Sequence, residues 1–417
     1  MWSGIVIWQA TCQLFLMNGL SKRKRFSLME NKLKNPIKRL LRIAISIIAL
    51  MVAALMGARF TVAIPQGNCT ILENRLKGLE ASRARLQSDL QKASFADKKS
   101  LIQQIKELDS EIREKQREFD LCVARLPKIN HYEVSPNQTD PKITNPNRAH
   151  EVFVNADGSG DLLFMFFPGS PQQPSQFKKV LMTAAEAGYH VIGVDYPNPE
   201  ELKKICDDRP NCYGQERQEV LEGKNVSPDV DVDAANCILN RAVKLIEWLA
   251  ANHPNEHWGQ FLNNGQIRWN KITVAGHSQG GGHAAMIARL FEVHRVVLFS
   301  SVSDATQSSS GFVSAPWLAQ SHATPINRYY GFGNTRDKLF FPQIEVNWNT
   351  LALPGTEISV DGSSPPYAGS HRLTTTNGSQ HPHPVYPHNL VATDADTPLD
   401  QNGRPVYLPV WRYLIGP

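Results

Sequence analysis

The sequence predicts an α/β protein whose main body is a mostly parallel sheet flanked by helices, with an α-helical hairpin ahead of it. Three observations carry this expectation. From about residue 150 to the C-terminus, short apolar runs alternate with helix-favouring stretches. One such run, Ile272-Thr273-Val274-Ala275, passes through Gly276-His277-Ser278-Gln279-Gly280 directly into a helix-favouring stretch, as at a strand–turn–helix step. Ahead of this region, two leucine-rich pieces between residues 70 and 126 carry heptad spacing.

The totals suit a globular chain. Of 417 residues, 41% are hydrophobic and 20% charged, enough for a sizeable core. The net charge of +5 is unevenly placed. Residues 1–64 hold ten Lys or Arg and one acid, Glu30; the rest has 34 basic against 38 acidic residues, net −4. The body therefore lacks the basic surface that a nucleic-acid partner needs.

Residues 1–64 read as a basic leader. Residues 1–20 are uncharged, and Met17 and Met29 are candidate working starts. Two basic clusters, Lys22 to Arg25 and then Lys38, Arg39 and Arg42, precede an uncharged apolar run at 43–58. Its sixteen residues fall short of the ~20 of a spanning helix and suit a signal-peptide core. Thr61-Val62-Ala63 fits a cleavage site, while Arg59 keeps a retained membrane anchor open. Either way the chain beyond is exported, to the periplasm, the medium or the outer face of a membrane.

Residues 65–126 form the expected helical hairpin. Leu72, Leu76, Leu79, Leu86 and Leu90 make one seam; Leu101, Ile105, Leu108, Ile112, Phe119 and Leu126 make the second. The polar break at Ser94-Phe95-Ala96-Asp97 offers a helix cap. Cys69 and Cys122 lie symmetrically about it, so folding there brings them together, and an exported protein would join them. Such a bridge contributes about 2–4 kcal/mol. The other reading is a continuous coiled coil that self-associates through unpaired cysteines. Residues 127–149, with Pro127, Pro136, Pro141 and Pro146 and no periodicity, read as a linker.

In the body, residues 150–417, strands are expected at 151–154, 162–167, 190–196, 272–275, 295–299, 325–331 and 356–360. Helices are expected at 175–187, 232–252, 284–290 and 404–414. Residues 197–230 read as a loop-like insertion in which Cys206 and Cys212 could close a small disulfide loop, leaving Cys237 unpaired. Asp229, Asp231 and Asp233 alternate before a helix, a pattern that suits helix-start charge better than Ca²⁺. No cysteine spacing resembles a zinc site, and no metal or cofactor is expected. Trp258, Trp317 and Trp348 line a pocket or fill the core.

Gly-x-Ser-x-Gly between a strand and a helix is the nucleophile-elbow pattern. The serine stands on a strained turn, and the flanking glycines let strand and helix approach. A serine hydroxyl becomes a useful nucleophile once a base takes its proton and a carboxylate orients that base.

On the Gly-His-Ser-Gln-Gly elbow, the strand ending in Pro168-Gly169-Ser170, and Asp and His residues downstream, residues 150–417 resemble the α/β-hydrolase superfamily, particularly bacterial serine esterases and lipases. The resemblance implies an α/β-hydrolase fold, acyl transfer through an acyl-enzyme, and the chain order serine, acid, histidine. It implies Ser278 as nucleophile. For the acid it implies Asp337, in the loop after 325–331, with Asp304 at the end of the preceding strand as the rival. For the base it implies His371, just after the last expected strand, with His388 as the alternative. The oxyanion donors implied are the Gln279 N–H and a second from Ser170 or Gly169. Many members have His-Gly where this chain has Pro168-Gly169, so the second donor stays open. His277 and His283 are read as packing residues.

The expected activity is hydrolysis of carboxylic esters in small molecules or lipids. A thioesterase or peptidase on the same fold is one alternative. Another is a catalytically silent binding module displayed by the hairpin, favoured if neither Asp337 nor Asp304 reaches a histidine near Ser278. The expected partners are the substrate, a membrane through an uncleaved leader, and self-association or docking through the hairpin.

Overall fold

The computed structural model describes residues 66–124, 128–378 and 383–416. The expected leader, with its apolar run at 43–58, lies outside the described residues. Among the described residues, no helix is long and apolar enough to cross a membrane.

The first two helices, α1 (Gln66–Lys92) and α2 (Phe95–Ala124), form the antiparallel hairpin. Ser94 starts α2: its carbonyl accepts the Asp97 and Lys98 amides, and its Oγ donates to Asp97 Oδ2 at 2.6 Å. Cys69 and Cys122 are disulfide-bonded with Cα atoms 5.6 Å apart. Arg75–Glu111 and Arg83–Asp109 pair across the same register at 3.3 and 2.5 Å. Two helices alone cannot enclose a seam. Leu76 is buried, while Leu72, Leu79, Leu86, Leu90 and Leu101 stay half-exposed. Exposed ion pairs contribute about 0–1 kcal/mol each, so the bridge is the largest single stabilising link between the helices. Asn74 Nδ2 donates to Asn402 Oδ1 at 2.6 Å, linking hairpin to body.

The body is built on nine strands: β1 (Ile129–Val134), β2 (His150–Asn155), β3 (Leu163–Phe167), β4 (His190–Gly193), β5 (Ile272–His277), β6 (Arg295–Phe299), β7 (Tyr329–Asn334), β8 (Ile358–Ser359) and β9 (Arg372–Thr375). They lie in the order β1-β2-β4-β3-β5-β6-β7-β9-β8. β1 and β2 pair antiparallel with each other, and β2 antiparallel with β4; the remaining ladders are parallel. This is the mostly parallel, helix-flanked sheet that the alternating pattern predicts.

Both faces are covered, which is why the central strands are apolar throughout. Side chains alternate along each strand. Leu163, Met165 and Phe167 of β3 join one core with Val274, Val296 and Leu298, while Phe164 and Phe166 join the other with Ala275, Val297 and Phe299. The first core is capped by α6 (Ile238–Asn252), α7 (Gln279–Leu290) and α8 (Phe341–Thr350) through Leu245, Leu249, Ile287, Ile344 and Trp348. The second is capped by α3 (Lys178–Glu186) and α10 (Leu408–Ile415) through Val180, Leu181, Val410, Trp411 and Leu414. Trp258, Trp317 and Trp348 are all core residues.

Several expectations need correction. Part of the stretch read as a linker is β1, an antiparallel edge strand. Its Ile-Asn-His-Tyr-Glu-Val sequence is polar because it is half-covered, and His131 stacks on Phe153 at 4.4 Å. The insertion at 197–230 contains two helices, α4 (Leu202–Cys206) and α5 (Cys212–Glu222), joined by the Cys206–Cys212 disulfide. Cys237 is free and buried. Residues 232–237 are a turn before α6, in which Asp233 Oδ1 accepts the Asn236 amide at 2.8 Å. Asp229 pairs with Arg209 at 2.7 Å. Finally, β9 has no counterpart among the expected strands. It inserts between β7 and β8, so the last strand in sequence is 372–375 rather than 356–360.

Candidate active site

Ser278 occupies the junction of β5 and α7 with φ 53° and ψ −122°, a conformation that L-residues rarely adopt. Its amide is held by the Phe299 carbonyl at 2.9 Å. The neighbouring glycines are steric requirements. A Cβ at Gly276 would collide with the Gly280 backbone, and one at Gly280 with the Phe167 carbonyl. At Gly282 a Cβ would collide with the Arg217 guanidinium. The glycine run thus lets the first turn of α7 press against β5, β3 and α5 together.

Asp337 follows β7 and is buried. Its Oδ1 accepts the Leu339 and Phe340 amides at 3.2 and 3.1 Å, which aims Oδ2 at His388 Nδ1, 2.6 Å away. His388 stands on the short helix α9 (Tyr386–Asn389) beyond the C-terminal end of β9. Its carbonyl accepts from Ser300 Oγ at 2.7 Å and from His277 Nε2 at 3.1 Å, and Phe340 packs on its ring at 4.5 Å. With Nδ1 committed to Asp337, Nε2 is the free ring nitrogen. It is buried and has no hydrogen-bond partner among the described residues. Ser278 and His388 line one cavity.

His277 is a buried support for this arrangement. Burial, reinforced by the adjacent His388, pushes its pKa down to about 3, so it is neutral. A neutral imidazole has one N–H, and donation to the His388 carbonyl makes Nδ1 an acceptor. Gln172 Oε1 is placed 2.9 Å from Nδ1, and turning that amide about its last bond would bring its N–H to this acceptor.

The loop after β3 flanks Ser278 on the other side. An added Cβ at Gly169 would sit 3.0 Å from the Ser278 Cβ. Asn198, just beyond β4, ties the loop down: its Nδ2 donates to the Gly169 and Gln172 carbonyls at 2.6 and 2.9 Å, and its own carbonyl accepts from Ser170 Oγ at 2.8 Å. Arg148 holds the Asn198 Oδ1 at 2.6 Å, and Tyr196 OH donates to the Pro168 carbonyl at 2.7 Å. The Ser170 hydroxyl proton is therefore already used, leaving its backbone amide as its available donor. The Gln279 amide lies in the first turn of α7, where helical amides lack intrahelical acceptors. The Gln279 side chain turns away, accepting the Leu202 amide at 3.1 Å.

His371 is not brought to Ser278. It immediately precedes β9, at the N-terminal edge of the parallel strands, whereas Ser278 follows the C-terminal edge of β5. Its ring stacks on Tyr330 at 3.8 Å, and its Nδ1 bonds the Tyr329 carbonyl at 2.8 Å. The expectation for His371 fails because Arg372-Leu373-Thr374-Thr375 holds one aliphatic residue. It escapes an apolar-run criterion, so His371 reads as following the sheet. Asp304 is also committed elsewhere. It forms a buried two-point pair with Arg217 at 2.6 Å for each contact, and it accepts from Trp317 Nε1 at 2.9 Å.

Gln172, Asn198, Arg217 and Phe340 are supporting residues that carry no motif in the sequence. Among the described residues, two side-chain groupings have the residue types of a metal site, and each is accounted for otherwise. His131, Glu133 and Glu151 cluster, but Lys178 Nζ lies 2.7 Å from Glu133 and 3.1 Å from Glu151 and supplies the positive charge. Cys212, beside Glu216 and Asp229, is disulfide-bonded and so has no thiolate to offer.

No family model and no curated protein matches this chain.

Proposed function

We propose that the protein is an exported serine hydrolase of carboxylic esters, with Ser278 as nucleophile, His388 as base and Asp337 as its orienting acid. The observation that carries this reading is the buried, unpartnered Nε2 of His388, on a ring whose other nitrogen is fixed by Asp337, in the cavity that Ser278 lines. The strand order and the serine at a positive-φ strand–helix turn agree with an α/β-hydrolase fold. The two disulfides agree with an oxidising compartment, and the hairpin would serve as a spacer or docking element.

The chemistry follows from the arrangement. Asp337 keeps the proton on Nδ1, so Nε2 is basic. Ser278 Oγ bonds to the ester carbonyl carbon as its proton passes to Nε2. The developing oxyanion is met by the Gln279 amide, at the positive end of the α7 dipole, and by an amide of the Gly169–Ser170 loop. The tetrahedral adduct collapses, the C–O bond to the alcohol breaks, and Nε2 returns its proton to the departing alkoxide. Water then repeats the sequence on the acyl-enzyme. The sum is ester plus water to acid plus alcohol.

The test is labelling by a fluorophosphonate together with turnover of p-nitrophenyl esters. Labelling and turnover are expected in the wild-type protein and neither in Ser278→Ala; label retained by Ser278→Ala would refute the assignment.

A further inference from the structure

The charges on the cavity wall are unequal in how they are satisfied. Asp304 is neutralised by Arg217, buried at 2.6 Å, and Glu201 lies 3.6 Å from Lys204 on the rim. Lys203, which also lines the cavity, has no carboxylate partner within salt-bridge distance among the described residues. Its ammonium instead faces two aromatic rings, at 5.5 Å from the Phe340 centroid and 6.0 Å from that of Phe312. Ring faces hold a cation without neutralising it.

Lys203 is also held in place relative to the reacting groups. It belongs to α4, whose first residue, Leu202, donates its amide to the Gln279 side chain at 3.1 Å, directly beside Ser278. The last residue of α4, Cys206, is bridged to Cys212 at the start of α5. Phe340 provides the other link: one ring packs on His388 at 4.5 Å and carries the Lys203 ammonium at 5.5 Å. A half-exposed positive charge without a carboxylate partner among the described residues thus stands one aromatic ring away from the imidazole.

We propose that the site prefers esters bearing a carboxylate a few bonds from the scissile carbonyl, with Lys203 as the specificity-determining residue. This rests on the reading of Ser278 as nucleophile. A substrate carboxylate beside Lys203 would complete the charge set of the cavity.

Two matched pairs test the proposal: monomethyl succinate against methyl butyrate for an acyl-side anion, and O-acetylglycolate against propyl acetate for an alcohol-side anion. In Lys203→Met the anionic-to-neutral ratio of kcat/KM should fall about tenfold in at least one pair, the scale of losing one hydrogen bond to a charged group. It should fall further in Lys203→Glu, recover in Lys203→Arg, and weaken with added salt in the wild type. Ratios within twofold of wild type in both pairs for Met and Glu variants would overturn the proposal. Calorimetry of monomethyl succinate and O-acetylglycolate binding to Ser278→Ala, with and without Lys203→Met, separates this from the hydrolase reading. Lys203-dependent binding in a wild-type protein that turns over neither these esters nor p-nitrophenyl esters and takes no fluorophosphonate label upholds the anion site and overturns the hydrolase; Lys203-independent or absent binding overturns the anion site.

Discussion

His388 donates its Nδ1 hydrogen to Asp337 Oδ2 across 2.6 Å, with both side chains almost wholly buried. The contact spans 51 residues of sequence. It unites the loop after β7 with the helix after β9, and it leaves Nε2 buried and without a partner among the described residues.

The two candidate histidines should therefore behave differently. His388→Gln is expected to lower kcat by about 10³-fold or more, as for loss of a triad base. His371→Gln should leave kcat within a few-fold. Its cost falls on stability, about 0.5–1.5 kcal/mol for the lost stacking on Tyr330. Ester kinetics beside urea midpoints separate the two effects, and a reversed pattern would restore His371.

The two carboxylates should separate in the same way. Asp337→Asn removes the acceptor that sets the His388 tautomer, so kcat should fall by about 10²–10⁴ with the fold intact. Asp304→Asn leaves Arg217 buried without its counter-charge, a loss of about 3–5 kcal/mol. Its signature is a lowered thermal midpoint. A large kcat loss with unchanged stability in Asp304→Asn would contradict this division.

Gly280→Ala should abolish soluble, folded protein or active-site labelling, because its Cβ meets the fixed Phe167 carbonyl. Gly78→Ala, in open space on α1, should instead raise helix stability by about 0.5–1 kcal/mol. Circular dichroism and fluorophosphonate labelling of both variants test the pair.

Acid should destabilise the fold through buried histidines. Burial pushes His150 and His277 down to about 3 and His283 well below its ordinary value. In the unfolded chain each binds a proton near pH 6.5. Between about pH 6.5 and 3 the unfolded state holds more protons, so stability is full above that window and is lost as pH falls through it. The slope is up to about 1.4 kcal/mol per pH unit for each histidine. Neither ring nitrogen of His283 has a partner among the described residues, so His283→Met should remove one proton's share of the slope. Urea midpoints at pH 7, 6 and 5 measure it; a flat profile in the wild type would be inconsistent with these buried neutral rings.

Removing the hairpin bridge should be local. Cys69→Ser with Cys122→Ser should cost the hairpin about 2–4 kcal/mol, seen as lost helicity and faster proteolytic cleavage between residues 66 and 124, with ester kcat unchanged.

Reading the chain alone determined whatever depends on local pattern. The apolar runs 162–167, 272–275 and 295–299 declare buried strands because both faces of those strands are covered. Gly276, Ser278 and Gly280 declare the turn because packing there admits no other spacing, and the symmetry of Cys69 and Cys122 about residue 95 declares the hairpin. Asp337 also lay within reach of that reading, since it directly follows a recognisable strand. The tertiary structure alone decided which of the two candidate histidines shares a cavity with Ser278, that Asp304 answers to Arg217, and that Asn198 and Phe340 pack around that cavity. These depend on β9 entering the sheet between β7 and β8, and a four-residue strand with one aliphatic side chain draws its stability from neighbouring strands rather than from its own periodicity. Which end of the sheet a side chain occupies is set by strand direction and order, and those are properties of the assembled sheet.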